Sequence, residues 1–239
     1  MDETYTAEFA EIYEPFYRLR GKDWTAEAEY LVKLIRDRSP GARSLLDVGC
    51  GTGAHLETFD KLLDHVEGLD VAAPMRDVAR RRLPHVTVHD GDMRDFDLGR
   101  RFDAVTCMFN AIGYMESVGQ LRAAVRAMAR HVVPGGVLVV EPWRFPDKFV
   151  DGHPVAEAGH PDGRAIARVS HSVRSGRAIR MQARYLVGEP GGIREFTQVH
   201  RLRLFTENEY LTAFASAGCP AEYREDDLTG RGLFIGVRR

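Results

Sequence analysis

The chain is poor in cysteine. Its 239 residues include only Cys50, Cys107 and Cys219, and no two of them have the C-x-x-C spacing of a zinc site. Three widely separated cysteines also exclude the disulfide framework that holds many small secreted proteins together. We therefore expect reduced thiols, no metal site and a cytoplasmic protein.

The sequence also lacks an excess of charge of one sign and a long apolar run. The formal net charge is −2, whereas a protein that coats nucleic acid usually carries a basic face. The basic cluster Arg80, Arg81 and Arg82 ends a predicted helix and is typical of a solvated face. No apolar run could cross a bilayer, and the acidic N-terminal segment does not resemble a signal peptide. We expect no nucleic-acid or membrane partner.

Apolar runs alternate with amphipathic stretches through the first 141 residues. Five runs are typical of buried strands, at residues 45–48, 65–70, 85–90, 101–109 and 137–141. Helix starts are indicated by Asp23, by Pro74 and by Ser117 with Gln120 three residues later. Strand and helix in alternation predict an α/β fold with a doubly wound, Rossmann-like parallel sheet.

After residue 142 the apolar period changes from helical to two. Segments 164–173 and 178–187 predict a hairpin, and 193–205 predicts a third strand. We interpret residues 142–205 as a small antiparallel β insert within one domain of residues 1–239. A Thr206–Glu209 capping box then starts a helix, and segments 221–226 and 232–238 predict a terminal antiparallel hairpin.

The stretch SLLDVGCGTGAHL, residues 44–56, predicts a strand, a glycine-rich turn and the start of a helix. Gly49 and Gly51 allow the backbone to approach a ligand closely, and the N-terminus of the helix offers free N–H groups. Asp70, at the end of the second strand, can hold the two hydroxyls of a ribose. Sites for NAD and for S-adenosylmethionine share this pattern, so it does not by itself decide between them.

Three further features favour S-adenosylmethionine. Asp47 precedes the glycines, where a carboxylate attracts an ammonium and a sulfonium but would repel a pyrophosphate. Asp92 and Met93 follow the third strand, where they can hold the amino group and the face of an adenine. The predicted terminal hairpin is not typical of a nucleotide-dehydrogenase sheet.

Together, LLDVGCGTG, Asp70, GDM and PGGVLVVEP resemble class I S-adenosylmethionine-dependent methyltransferases, whose sheet has seven strands. Segments along nearly the whole chain, among them FYRLRGKDW, VLVVEPWRFPDKF, ARVSHSVR and GRGLFIGV, are similar to the N,N-dimethyltransferases of dTDP-linked amino sugars. Those enzymes act on precursors of macrolide sugars such as desosamine and mycaminose. The resemblance implies S-adenosylmethionine as cofactor and a dTDP-amino-deoxyhexose as substrate. The sequence leaves the amine position open, with the 3-amino isomer as the first expectation, and a homodimer is one candidate assembly.

The resemblance also implies roles for individual residues. Tyr114 and His171 are the catalytic candidates, and Met108 contacts the methionine part of the cofactor through its backbone. Tyr17 belongs to a helical lid of residues 1–43 and contacts both cofactor and substrate. The remaining substrate-binding candidates are Trp143, Ser170, Arg174 and Arg231.

Plainer structural roles stay open for several of these residues. His171 could be a core histidine, Arg174 a solvated residue beside a turn, and Trp143 a buried packing residue. Relatives often read EPWWFP, whereas Arg144 stands here in place of the second Trp. Either the guanidinium adds a phosphate contact or the sugar lies differently.

Two other functions also stay open. The first is methylation of a hydroxyl or carboxyl group on another small molecule, which would call for a stronger base or a metal. The second is a non-catalytic module that binds S-adenosylmethionine, and measurable turnover would exclude it.

Overall fold

The computed structural model describes residues 4–225, 228 and 230–239. In chain order, its strands are β1 (Ser44–Val48), β2 (His65–Asp70), β3 (Thr87–Asp90), β4 (Phe102–Cys107), β5 (Val132–Val140), β6 (Pro154–Gly159), β7 (Ala165–Ser175), β8 (Ala178–Glu189), β9 (Gly192–Arg203), β10 (Ala221–Arg224) and β11 (Leu233–Val237). The α-helices are α1 (Ala7–Leu19), α2 (Trp24–Arg36), α3 (Leu56–Leu62), α4 (Ala73–Arg82), α5 (Val118–Arg130) and α6 (Glu207–Ser216), and a 3₁₀ turn covers Ala111–Tyr114.

Seven strands form one sheet in the order β10-β11-β5-β4-β1-β2-β3. Strands β1 to β5 are parallel, and β11 runs antiparallel to both β5 and β10. The predicted α/β class, the doubly wound parallel sheet and the terminal hairpin are therefore confirmed. Because the carboxyl ends of β1, β2 and β4 meet at one edge, the segments that follow them are brought together there.

The expected helix caps are present. The carboxylate of Asp23 accepts from Ala26 N, and the hydroxyl of Ser117 accepts from Gln120 N. Thr206 and Glu209 form a complete capping box, in which each side chain bonds the backbone of the other residue. Ser117 forms only half of such a box, because Gln120 Oε1 accepts from Glu116 N instead.

The second sheet is antiparallel, with the order β6-β7-β8-β9. The hairpin of β7 and β8 is confirmed, and Ser175 pairs with Ala178 across a two-residue turn. Inward-facing residues of this sheet, Ile166 and Tyr185, pack on the apolar face of α1 around Phe9 and Phe16. The sheet lies within residues 142–205, although the division of the chain into insert and lid stays a prediction.

Several boundaries differ from the sequence-based expectation. Pro134, Gly135 and Gly136 lie within β5, where the register against β4 shifts between Phe102 and Ala104. Strand β6 was not predicted, because PVAEAG carries small and polar side chains rather than an apolar alternation. The strand expected over 221–226 ends at Arg224, and position 226 lies outside the described residues. Within the described ranges, every helix falls short of the length and apolar character required to cross a membrane.

Candidate functional site

The glycine-rich turn after β1 has a backbone that L side chains rarely adopt. Gly49, Gly51 and Gly53 have φ angles of 73°, 57° and 77°. Gly49 N and Cys50 N donate to Leu69 O at 2.7 and 3.1 Å, which fixes the turn to the end of β2. A Cβ at position 49 would lie 2.7 Å from Ala111 Cβ, so only glycine lets the turn approach the segment after β4 this closely.

Two carboxylates flank this turn, the buried Asp47 and the partly buried Asp70. Asp47 is 2% exposed and accepts a 2.8 Å hydrogen bond from the Thr106 hydroxyl. Burial raises the pKa of Asp47 to about 6. Asp70 accepts from Gly51 N and Ala72 N, both at 2.8 Å, and burial raises its pKa although these bonds oppose the rise. A positively charged or hydroxyl-bearing ligand would stabilise the ionised form of each carboxylate.

Of the other expected cofactor residues, Met93 borders the same turn. Asp92 is partly buried and its carboxylate is held by Arg94, whose side chain keeps the pKa of Asp92 below its usual value. Met93 Cε lies 3.7 Å from where a Cβ of Gly49 would be. Met108 is buried, and its carbonyl accepts a 3.3 Å hydrogen bond from Ala111 N.

The residues of this region fit S-adenosylmethionine. Asp47 and Asp70 supply negative charge, and Asn110 Oδ1 is a buried acceptor without a partner among the described residues. An ammonium, a sulfonium and two ribose hydroxyls are the groups that such acceptors bind. A pyrophosphate, in contrast, would add negative charge to a site that already holds two carboxylates.

Helix α1 lies over the glycine-rich turn. Glu14 is buried and accepts from the Thr52 hydroxyl and from Arg82 Nη2, both at 2.6 Å. One turn further along, the partly buried Tyr17 packs edge-to-face on Phe109, with their ring centroids 4.8 Å apart. The helix thus contacts both the turn after β1 and the segment after β4.

The segment after β4 contains two non-glycine residues in the left-handed region, Phe109 and Asn110, with φ angles of 52° and 62°. Glu141, which is fully buried, accepts from Phe109 N at 2.6 Å and from Arg231 Nη1 at 3.2 Å. Burial raises the pKa of Glu141, and the nearby Arg231 opposes this rise. Such backbone strain is typical of functional segments that their surroundings hold in place. Sequence reasoning missed Glu141, because PGGVLVVEP indicates a strand and not the direction of its last side chain.

Tyr114 lies in a chain of three hydrogen-bonded side chains. Its hydroxyl is 2.8 Å from the Tyr5 hydroxyl and 2.7 Å from His200 Nδ1. Tyr114 is partly exposed, whereas His200 on β9 is 5% exposed. His200 was not among the expected residues, although it alternates with the inward-facing Gln198 and Leu202, a period-two signal that could have identified it.

His171 requires a correction. On β7, Arg168 and Ser170 are buried, whereas Val169 and His171 are exposed, because side chains alternate across a strand. His171 therefore lies on the exposed face of this sheet, opposite to His200 and its partner Tyr114, and is not a core histidine. The buried histidine near Tyr114 is His200.

The expected substrate-binding residues lie in different settings. Trp143, directly beyond β5, packs on Phe149, and its Cβ would be 3.0 Å from a Cβ at Gly113. Ser170 is buried on the inner face of β7. Arg174 is partly buried and donates to Gly176 O at 2.8 Å and to Pro146 O at 3.1 Å, so it is not the solvated residue of the plainer expectation.

The guanidinium groups of Arg20, Arg144 and Arg231 lie near one another. Burial and the proximity of Arg231 and Arg20 lower the pKa of Arg144. Arg231 lies over the Phe109 ring at 5.7 Å and Arg20 over the Tyr17 ring at 5.6 Å. Behind them, the buried Arg168 pairs with Glu157 at 3.0 Å. Arg20 pairs with Glu157 at 2.6 Å and Arg231 with Glu141 at 3.2 Å, whereas Arg144 has no carboxylate partner among the described residues.

Comparisons with known proteins agree with this geometry. Residues 45–136 match a family model described as a methyltransferase domain. The chain is 52% identical over 234 residues to a dTDP-4-amino-2,3,4,6-tetradeoxy-D-glucose N,N-dimethyltransferase of Saccharopolyspora spinosa, which covers 98% of this chain and 94% of that one. It is 51% identical over 234 residues to a dTDP-3-amino-3,4,6-trideoxy-alpha-D-glucopyranose N,N-dimethyltransferase of Streptomyces venezuelae, covering 98% and 99%.

A solved structure extends the likeness to the whole fold. S-adenosylmethionine-bound CalS10, an amino pentose methyltransferase from Micromonospora echinaspora, superposes with a TM-score of 0.89 at 55% identity. The match covers 95% of this chain and 97% of that one. The glycine-rich turn and the second, antiparallel sheet therefore belong to one shared architecture.

Proposed function

Because the chain belongs to the family of dTDP-amino-sugar N,N-dimethyltransferases, we propose that it transfers two methyl groups to the amine of a dTDP-linked amino-deoxyhexose. It is a methyltransferase, and S-adenosylmethionine is its cofactor. The observation that carries the proposal is identity of about one half over nearly the full length of both chains. The proposed place of this reaction is the biosynthesis of an antibiotic sugar.

In this proposal, the residues around the glycine-rich turn hold the cofactor. Asp70 accepts from the ribose hydroxyls, and Asp47 faces the positive charges of the methionine part. Asp92 and Met93 hold the adenine, while the backbone of Gly49, Gly51 and Met108 lines the site. Tyr17 closes the site from α1, a role supported by the contact of Glu14 with Thr52.

The guanidinium groups of Arg231 and Arg144 bind the diphosphate. Their support is the proximity of Arg231 to Arg144, whose charge has no carboxylate partner among the described residues and would be neutralised by a diphosphate. Arg144 then makes the phosphate contact that was one of its two open roles. Trp143 and Ser170 contact the part of the substrate where the diphosphate joins the sugar.

Methyl transfer is an in-line displacement by a neutral amine. Bound S-adenosylmethionine supplies the electrophilic methyl group. The protein supplies positioning, since a bound nucleophile in near-attack geometry needs little further help. Burial, together with Tyr5, raises the pKa of the Tyr114 phenol well above the usual value, so Tyr114 is a poor general base. Its role in this proposal is to orient the amine.

Identity does not settle the position of the amine. Relatives at 52% and 51% identity are named for a 4-amino and a 3-amino sugar. We keep the 3-amino isomer as the first expectation, and a test must include both.

A comparison of acceptors tests the proposal. Formation of S-adenosylhomocysteine is measured with a dTDP-amino-deoxyhexose and with its counterpart that has a hydroxyl in place of the amine. The proposal predicts turnover with the amine only. Turnover with the hydroxyl compound would favour an O-methyltransferase, and no turnover with any acceptor would favour a binding module.

A homodimer also stays a proposal. Its support is the outer face of the antiparallel sheet, where the exposed apolar side chains include Val169, Leu186 and Ile193, 59%, 48% and 80% exposed. Sedimentation velocity of the wild type and of Ile193→Lys would show whether this face joins two copies.

A further inference from the structure

The chain of hydrogen bonds through Tyr5, Tyr114 and His200 has a direction that matters for the reaction. Tyr5 lies just before α1, Tyr114 ends the 3₁₀ turn after β4, and His200 belongs to β9. Three segments far apart in sequence thus place two hydroxyl groups and one imidazole in contact. The 3₁₀ turn that ends at Tyr114 packs on Gly49 through Ala111.

His200 is held as a neutral imidazole. Burial, and then the positive charge of Arg168, lower its pKa to about 4. A neutral imidazole has one nitrogen that donates and one that accepts. His200 Nδ1 can therefore either accept from the Tyr114 hydroxyl or donate to it. The hydrogen bond between Tyr114 and Tyr5 decides between these two directions.

Tyr5 decides the direction. Its hydroxyl contacts Tyr114 and, among the residues that the structure describes, no other hydrogen-bond partner. The segment is fixed on β9, since Thr4 Oγ1 donates to Val199 O at 3.1 Å and Gln198 Nε2 donates to Thr4 O. If Tyr5 donates to Tyr114, both hydroxyl hydrogens are satisfied only when Tyr114 donates to His200 Nδ1. The opposite direction would leave the Tyr5 hydrogen without an acceptor among the described residues, so only the first direction satisfies both hydroxyl hydrogens within this part of the chain.

We propose that His200 is a positioning residue: its Nδ1 takes the Tyr114 hydroxyl hydrogen, so that Tyr114 Oη can only accept from the amine of the substrate. The proposal rests on the function proposed above. Tyr114 then holds the amine by one N–H, and the lone pair of the nitrogen is left to face the methyl group. An unconstrained hydroxyl could instead donate to that lone pair and occupy it.

This arrangement accounts for two methyl transfers and no third. In each transfer the nitrogen lone pair forms the N–C bond, the C–S electron pair returns to sulfur, and the ammonium then releases one proton to solvent. The primary amine offers two N–H groups and the monomethyl amine offers one. The dimethyl amine offers none, so Tyr114 Oη no longer holds it in line. The second transfer depends most on Tyr114, because only one N–H remains to be bound.

The test compares His200→Leu with His200→Asn, in which Oδ1 can replace Nδ1 as the acceptor. Exposed His153→Leu is the matched control. Single-turnover and multiple-turnover reactions with a dTDP-amino sugar are analysed by mass spectrometry for monomethyl and dimethyl products. We expect the ratio of monomethyl to dimethyl product to rise roughly ten-fold or more in His200→Leu, because misplacement of a reacting group costs this much. His200→Asn should restore the ratio at least in part.

Equal slowing of both transfers in His200→Leu, with an unchanged product ratio, would overturn the role of His200 while leaving the proposed function intact. A wild-type enzyme that methylates no amino sugar would instead overturn the proposed function.

A readout independent of activity is the tautomer of His200 in the free protein, measured by ¹⁵N NMR with His200→Asn used for assignment. The proposal predicts a hydrogen on Nε2. A hydrogen on Nδ1 would overturn it even if His200→Leu did not fold.

Discussion

Glu14 in α1 accepts a 2.6 Å hydrogen bond from the Thr52 hydroxyl in the glycine-rich turn. Arg82 donates to the same oxygen, so one buried carboxylate joins the N-terminal helix to two elements of the seven-stranded domain. The helix that covers the glycine-rich turn is therefore held by specific hydrogen bonds as well as by apolar packing.

Loss of this hydrogen bond should increase the rate at which the cofactor dissociates. We expect Glu14→Ala to increase the dissociation rate of S-adenosylmethionine roughly ten-fold, since a hydrogen bond to a charged group contributes about 1.5–3 kcal/mol. Stopped-flow fluorescence measures this rate. Glu11→Ala, an exposed site in the same helix, is the control. An equal increase in both variants would show that the helix does not act through Thr52.

Asp70 should carry much of the affinity for the cofactor. We expect Asp70→Ala to weaken the binding of S-adenosylmethionine roughly 100-fold or more, because two hydroxyl groups lose a charged acceptor. Isothermal titration calorimetry measures this affinity, and Asp95→Ala, whose side chain is 97% exposed in the wild type, is the control. Unchanged affinity in Asp70→Ala would contradict the proposed ribose contact.

Cofactor affinity should depend on pH through Asp47. Its pKa of about 6 in the free protein reflects burial, and a bound cation would lower this pKa. Binding then releases a proton below pH 6, so affinity should fall about ten-fold for each further unit of acidification, as linkage requires. Calorimetry from pH 7.5 to 5 tests this dependence. Asp47→Asn should bind weakly with a flatter profile, and an equally steep profile in that variant would assign the proton to another group.

Arg231 should act on the substrate and not on the cofactor. Removal of its charge would leave the buried Glu141 without the ion pair it forms at 3.2 Å, so Arg231→Lys is the better variant. Lysine keeps the charge but lacks the fork that binds two phosphate oxygens. We expect the KM for the nucleotide sugar to rise roughly ten-fold, while the Kd for S-adenosylmethionine stays unchanged.

The control for Arg231 is Arg224→Lys on β10, where the side chain is exposed. A parallel rise in the KM of Arg231→Lys and in its Kd for the cofactor would place Arg231 outside the substrate site. No change in either would mean that the diphosphate is bound elsewhere.

The regular part of the fold could be predicted because its signals are local. Apolar runs marked the parallel strands, and short polar side chains marked the helix starts at Asp23, Ser117 and Thr206. β6 carried no such signal. The glycines in β5 predicted a break in the strand, but β5 continues through them because it pairs with β4 on both sides. In both cases the structure depends on pairing with other strands, and this pairing cannot be predicted from the local sequence.

The sequence predicted the part of the candidate site whose residues are close in sequence or lie at the ends of adjacent strands. Asp47, Gly49 and Gly51 are close in sequence, and Asp70 ends the adjacent strand. Residues on different sheets were harder. His171 and His200 have similar sequence surroundings, but they lie on opposite faces of the antiparallel sheet. The face is set by packing on α1, so only the assembled structure distinguishes the two histidines.

The most direct test of the central claim is mass spectrometry of the product formed from S-adenosylmethionine and each member of a panel of 3-amino and 4-amino dTDP-deoxyhexoses. The account predicts two successive methyl additions to one of these sugars, with a monomethyl intermediate that later disappears. Methylation on oxygen, or no product while calorimetry still detects bound S-adenosylmethionine, would contradict it.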